Sequence, residues 1–216
     1  MQPLFHDIVI YTVPILFGLT VHEFAHGLAA DRFGDDTPRK MGRLTLNPLA
    51  HLDFFGTLVF FITRAFGWAK PISINPDNLA SPRRDLMRIA LAGPLANFVL
   101  ALACALVYQL TAKLAVYHGP GTIAGILIAA PAREMLAAGV EVNIALGMIN
   151  LIPIPPLDGG RILAGLLPEK PAAYLEKIDS YGAIILVILV LSNSLNLFFF
   201  PLLSSMTGFL LSGSPF

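Results

Sequence analysis

IVIYTVPILFGLTVHEFAHGLAA, residues Ile8 to Ala30, decides how the rest of the chain is read. Its 23 residues are mostly apolar. At 1.5 Å per residue they are long enough to cross a hydrocarbon core of about 30 Å. Yet the run contains His22-Glu23-Phe24-Ala25-His26, an HExxH motif. Two histidines four residues apart on a helix share one face and can hold a zinc ion together. The glutamate between them is then placed to act as general base on a metal-bound water. Such groups are costly inside a membrane-length helix, so they mark a functional site by default. Core histidines or a structural polar network are the blander reading. With only five His and five Glu in the chain, chance rarely assembles this pattern.

Composition agrees with a membrane setting. The 216 residues are 56% hydrophobic and 13% charged, and mean hydropathy is +0.72. The length fits one domain over 1–216. Net charge is zero, which gives nucleic acid or an acidic partner nothing to recognise. The single cysteine, Cys104, has no internal disulfide partner and reads as a small packing residue. The start, MQPLFHD, lacks a basic region and a small-residue cleavage site, so the first apolar segment is expected to stay and anchor the protein.

Further membrane-length text follows. Ile89 to Thr111 carries no charged residue, and neither does Tyr181 to Phe216, which Ser192-Asn193-Ser194 and Pro201 interrupt. The latter reads as one tilted span with a tail, or as two short segments. Phe54 to Phe66 is short and includes Arg64, so it is either a short helix or a re-entrant segment. Thr122 to Ala130 is brief, and Pro153, Pro155 and Pro156 spoil the second half of Val142 to Leu157 as helix. The expectation is a mostly α, polytopic membrane helix bundle of four to six segments. Basic residues after the first segment place its HExxH end towards the cytoplasm.

Between the first two long segments, Arg43, Thr45 and Asn47 alternate with Leu44 and Leu46, the period of a strand. Trp68 to Asn75 reads as a second extended piece. Together they predict a small β-like element near the membrane surface, whose edge can bind an extended peptide. A plain polar loop is the competing reading.

A catalytic zinc takes three protein ligands and keeps one position open. The neighbourhood of His26 does not supply the third. Position 29 is Ala and position 32 is Arg, where an HExxHxxGxxH protease needs Gly and His, and no Glu occurs between Glu23 and Glu134. Two candidates remain, His51 and Asp158, of which Asp158 is the better. It follows prolines that break the helix and precedes Gly159-Gly160, which allow close backbone approach. An aspartate in that setting needs a cation. Its blander reading is a helix cap.

HEFAH in the first long helix together with NLIPIPPLDGG at 150–160 resembles the site-2 proteases, the intramembrane zinc metalloproteases of peptidase family M50. Leu91-Ala-Gly93-Pro94-Leu-Ala-Asn97, the Gly42-Arg-Leu-Thr-Leu-Asn-Pro-Leu stretch and Gly67-Trp-Ala-Lys-Pro fit the same family. The resemblance runs from about His22 to Leu163. It implies that His22, His26 and Asp158 hold one Zn2+ per chain and that Glu23 is the catalytic base. By the same resemblance, Asn150 stabilises the oxyanion or positions the peptide, and Asn97 helps at the site. No insertion has the length of a PDZ or CBS domain, which makes this a minimal form. The implied activity is hydrolysis of peptide bonds in or near transmembrane helices of membrane-protein substrates. The implied location is the lipid bilayer of a prokaryotic cell membrane. Asn97, Asn143 and Asn150 are candidates to line a water path. The rival readings are a proteolytically inactive zinc-binding scaffold and a zinc transporter. The intact Glu23 argues against the first. The absence of His-rich loops and of repeated intramembrane acids argues against the second.

Overall fold

The structure, a computed structural model, describes residues 2–53, 56, 70–118, 130–192 and 194–212. Helices dominate it, and each follows from the text. The Ile8 segment lies inside α1 (Gln2–Arg32). After it come a single turn, α2 (Thr37–Lys40), and the long α3 (Pro82–His118), which contains the Ile89 segment. Helix α4 (Ala130–Asn150) ends where the prolines begin, and α5 (Asp158–Leu166) restarts behind them. The C-terminal apolar text forms two helices, α6 (Glu169–Leu191) and α7 (Ser194–Ser212), so of the two readings the break near Ser192 prevails. The segments at 57–66 and 122–129 fall outside the described residues, as do Trp68 and Ala69.

Among the described residues, two helices are long and apolar enough to cross a membrane, over His6–Arg32 and Pro82–Thr111. Their outward residues suit lipid. Val13, Phe17, Leu95, Val99, Leu102, Leu106 and Leu110 all remain exposed, and exposed apolar surface of this kind marks a membrane or protein contact.

The chain divides into two compact units. The first comprises Met1–Gly18, Asn97–Met148 and Ile184–Phe216. Its core is built from small and branched residues, with Ala101 and Ala105 of α3, Val140 and Ile144 of α4 and Leu203 of α7. Small side chains let helices approach where no water is available to drive them together. Cys104 packs beside Gly139, where a Cβ would lie 3.0 Å from its sulfur. The second unit comprises Leu19–Ala96 and Ile149–Ala183. Its apolar centre is Ala30, Leu79 and Ile89, covered by Ala29, Phe33, Ile74 and Leu86.

Among the described residues there is no strand, which corrects the β-like element expected at Arg39 to Asn47. The alternation there has another origin. Thr45 Oγ1 accepts the Asn47 N–H at 3.1 Å, and Asn47 Oδ1 accepts the Leu49 N–H at 3.1 Å. Turns in which a side chain accepts the amide two residues on also have a step of two. Gly42 opens the stretch at φ +67°, a left-handed conformation that strands do not use. Arg43 is buried, with Nη1 donating to the Ala50 carbonyl.

Candidate metal centre

The second unit holds all three residues that the sequence offers as candidate ligands. His22 and His26 project from one face of α1, four residues apart, and both are buried. Asp158 opens α5 and is buried as well. Its position is set by the preceding prolines, which prevent α4 from continuing, and by the two glycines after it. A Cβ on Gly159 would collide with the Leu151 and Ile152 carbonyls, and one on Gly160 would lie 2.5 Å from Pro155 N. The α5 start therefore packs directly on the 151–155 backbone. Leu157 is the N-cap residue of α5, so Asp158 is not acting as the helix cap.

One atom of each ligand converges. His22 Nε2 and His26 Nε2 are 2.9 Å apart, and Asp158 Oδ2 lies 3.0 Å from the first and 3.2 Å from the second. These are ion-pair distances, but the angles do not make hydrogen bonds to Oδ2, which has no hydrogen-bond partner. Ligand atoms about 2.0–2.1 Å from a tetrahedral ion lie about 3.3 Å from one another. The three atoms have nearly that spacing, so the donor set fits a metal ion. Among the described residues, His22, His26 and Asp158 form the group with metal-binding geometry.

The surroundings fix the ring orientation. A carbonyl can only accept, so His26 Nδ1–H donates to the Ile89 carbonyl at 2.7 Å, leaving Nε2 as the lone-pair nitrogen of the neutral ring. Gly93, one turn along α3 from Ile89, gives the imidazoles their room. A Cβ there would lie 2.5 Å from His26 Nε2 and 2.6 Å from His22 Cε1.

The other expected residues lie as follows. Glu23 is half-buried, and its Oε2 accepts the Ile72 N–H at 3.0 Å. Asn150 is the last residue of α4, half-buried and in the same unit as the ligands. His51 is not in the converging group. It is buried, and its Nε2–H donates to the Thr45 carbonyl at 2.9 Å. Asn97 and Asn143 belong to the other unit, where both are buried. Asn97 Nδ2 donates to Asn143 Oδ1 at 2.8 Å and to the Gly18 carbonyl at 3.1 Å, and Asn143 Nδ2 donates to the Gly139 carbonyl at 2.8 Å. These two asparagines form a packed joint.

Sequence reasoning missed Gly93 in this role, the Ile89 carbonyl and the Ile72 amide. The first belongs to the Gly93-Pro94 pair quoted above. The two main-chain groups carry no side-chain signal at all.

Apolar membrane-length helices and an HExxH pair joined by a distant aspartate are the features of a metalloprotease class. The profile of peptidase family M50 matches residues 10–128 and 108–192. The chain belongs to that family. It is 34% identical over 204 residues to YwhC of Bacillus subtilis (strain 168), a candidate zinc metalloprotease. That alignment covers 89% of this chain and 85% of YwhC. Rip2 of Mycolicibacterium smegmatis, also a candidate zinc metalloprotease, is 30% identical over 196 residues, covering 87% of this chain and 68% of Rip2. Rip2 of Mycobacterium tuberculosis (strain H37Rv) is 29% identical over 194 residues, with 86% and 68% covered. No solved structure matches the chain.

Proposed function

We propose that this protein is an intramembrane zinc metalloprotease that hydrolyses peptide bonds in or near the transmembrane helices of other membrane proteins. The observation that carries the reading is the convergence of His22 Nε2, His26 Nε2 and Asp158 Oδ2 beside a glutamate. His22, His26 and Asp158 hold one zinc ion. When bound, zinc acidifies water at its open position and polarises a carbonyl.

The chain's own residues do the rest. The N–H of Ile72 holds Glu23 Oε2, leaving Oε1 to take a proton from the attacking water and return it to the leaving amine. Asn150 orients the peptide at the end of α4. The substrate segment must unwind, because a helix keeps its carbonyls in hydrogen bonds to amides four residues on. The two membrane-length apolar helices within α1 and α3 support a multi-pass topology of four to six segments, with α7 as a further apolar segment of 19 residues. At 1.5 Å per residue that is about 28 Å, close to the hydrocarbon thickness. The relatives are bacterial, which supports a location in the cell membrane of a prokaryote.

The test is cleavage of a tagged single-span reporter in proteoliposomes, with the cut mapped by mass spectrometry. The proposal requires a cut in or beside the reporter's membrane segment that Glu23→Gln abolishes. Equal cleavage by parent and Glu23→Gln removes Glu23 as the base. A parent chain that binds zinc but cleaves none of a panel of such reporters supports the scaffold reading instead.

A further inference from the structure

The partner of Glu23 is itself held in place. Residues 70–75 run without regular structure beside α1 and lead into a 3-10 turn at Pro76–Asn78. Ile72 is buried, and its side chain fills the space over Gly27, where a Cβ would lie 3.0 Å from Ile72 Cδ1 and 2.9 Å from Leu44 Cδ2. Ile74 and Leu79 pack with Ile89, the residue whose carbonyl orients His26. The segment thus reaches the glutamate through a main-chain donor and lies in the same packing cluster as the histidine's support.

Its far end is tied to Asp35, whose residue surface is fully buried. Four donors converge on this one carboxylate. Oδ1 accepts from Thr37 N–H at 3.1 Å, Thr37 Oγ1 at 2.5 Å and Asn78 Nδ2 at 2.8 Å, and Oδ2 accepts from Asn75 N–H at 2.7 Å. Asp35 is in turn fixed to the helix that carries Glu23. Gly34 takes φ +108° at the end of α1, and the Asp35 N–H donates to the Ala30 carbonyl at 2.9 Å, a glycine-dependent helix closure. One end of the segment is therefore bonded to the α1 terminus and the other to the candidate base.

We propose that Asp35 is a positioning residue for Glu23: by anchoring Asn75 and Asn78 it sets the 72–78 segment so that the Ile72 N–H holds Glu23 Oε2. The proposal rests on the reading of Glu23 as base only for its effect on turnover. The anchoring is testable without it.

Asp35→Asn is the selective variant. The amide keeps an oxygen at the Oδ1 position for Thr37 and Asn78, but sets an N–H2 donor against the Asn75 N–H. Amide hydrogen exchange is followed residue by residue on the zinc-loaded full chain in detergent, for the parent, Asp35→Asn and Glu23→Ala. Asp35→Asn is expected to speed exchange at both Asn75 and Ile72 by about tenfold, with the α3 amides around Ile89 unchanged. Glu23→Ala is expected to speed Ile72 alone. An Ile72 amide as protected in Asp35→Asn as in the parent overturns the proposal. So does a uniform loss of protection that includes α3, which makes Asp35 a general stability residue.

On a fluorescent single-span reporter that the parent cleaves, Asp35→Asn is expected to lower kcat about tenfold, with KM and bound zinc at parental levels. Ile72→Pro, which deletes the same N–H, is expected to match it. The double variant then loses no more than either single one. Additive losses contradict action through Ile72. If Glu23→Gln cleaves like the parent, the base reading fails while the exchange result stands by itself.

Discussion

The asparagine pair on α3 and α4 and the histidine–aspartate group on α1 and α5 are buried polar clusters of opposite character. In the first unit, Asn97 and Asn143 pair with each other and with the Gly18 and Gly139 carbonyls. In the second, His22, His26 and Asp158 bring atoms to within 3.2 Å of one another while Asp158 Oδ2 lacks a hydrogen-bond partner. Both sit where burial penalises a polar group without a partner. The asparagine cluster is complete with the protein's own groups, whereas the histidine–aspartate cluster leaves a carboxylate oxygen without a hydrogen bond, which a cation would satisfy. A saturated network rigidifies a fold, and an incomplete one points to a ligand. The two clusters therefore call for different responses to mutation.

The largest contrast is expected from Glu23→Gln. Turnover should fall by about 10²–10⁴-fold, the usual contribution of a general base, while zinc content stays parental. Parallel loss of zinc and turnover would place Glu23 among the ligands. Next comes Gly93→Ala. With its new Cβ 2.5 Å from His26 Nε2, zinc affinity should drop about 10- to 100-fold, as for other changes to groups that orient ligands. Competition with a chromogenic chelator reads this, and parental affinity would show that the imidazoles can yield.

Asn97→Leu should act on the other cluster alone. It strands Asn143 Oδ1 and lowers stability by about 1–3 kcal/mol, read from detergent-phase unfolding, with zinc stoichiometry unchanged. A zinc-deficient Asn97→Leu protein would mean that the clusters are coupled.

The smallest effect concerns pH. Burial raises the Asp35 carboxyl, but hydrogen bonds from Thr37, Asn78 and Asn75 outweigh it and hold the group below the ordinary carboxylate range. A lowered folded value means that this stabilisation is complete above about pH 3.9 and is lost as pH falls through the folded pKa. Asp35→Asn should flatten that acid limb of the stability curve. An unaltered limb would assign the acid sensitivity elsewhere.

How much of this was legible beforehand depends on the kind of signal. Helices α1 and α3 and the break before Asp158 are written in apolar runs and prolines, which act locally. The His22–His26 pair follows from helical periodicity. Asp158 was preferred over His51 by the chemistry of a lone acid between prolines and glycines, and the resemblance to the site-2 proteases implies the same residue. The supposed strand at 43–47 failed because side-chain turns share its period of two. The Ile72 amide was invisible, since a main-chain donor has no residue code, and Asp35 sat in Gly34-Asp35-Asp36-Thr37, which reads as an ordinary turn.

Zinc content of the purified chain tests the central claim most directly, with His26→Ala and Asp158→Ala prepared alongside. The account predicts about one zinc per parent chain, lost or much weakened in both variants. Absence of zinc from the parent after reconstitution, or zinc undiminished in Asp158→Ala, would contradict it.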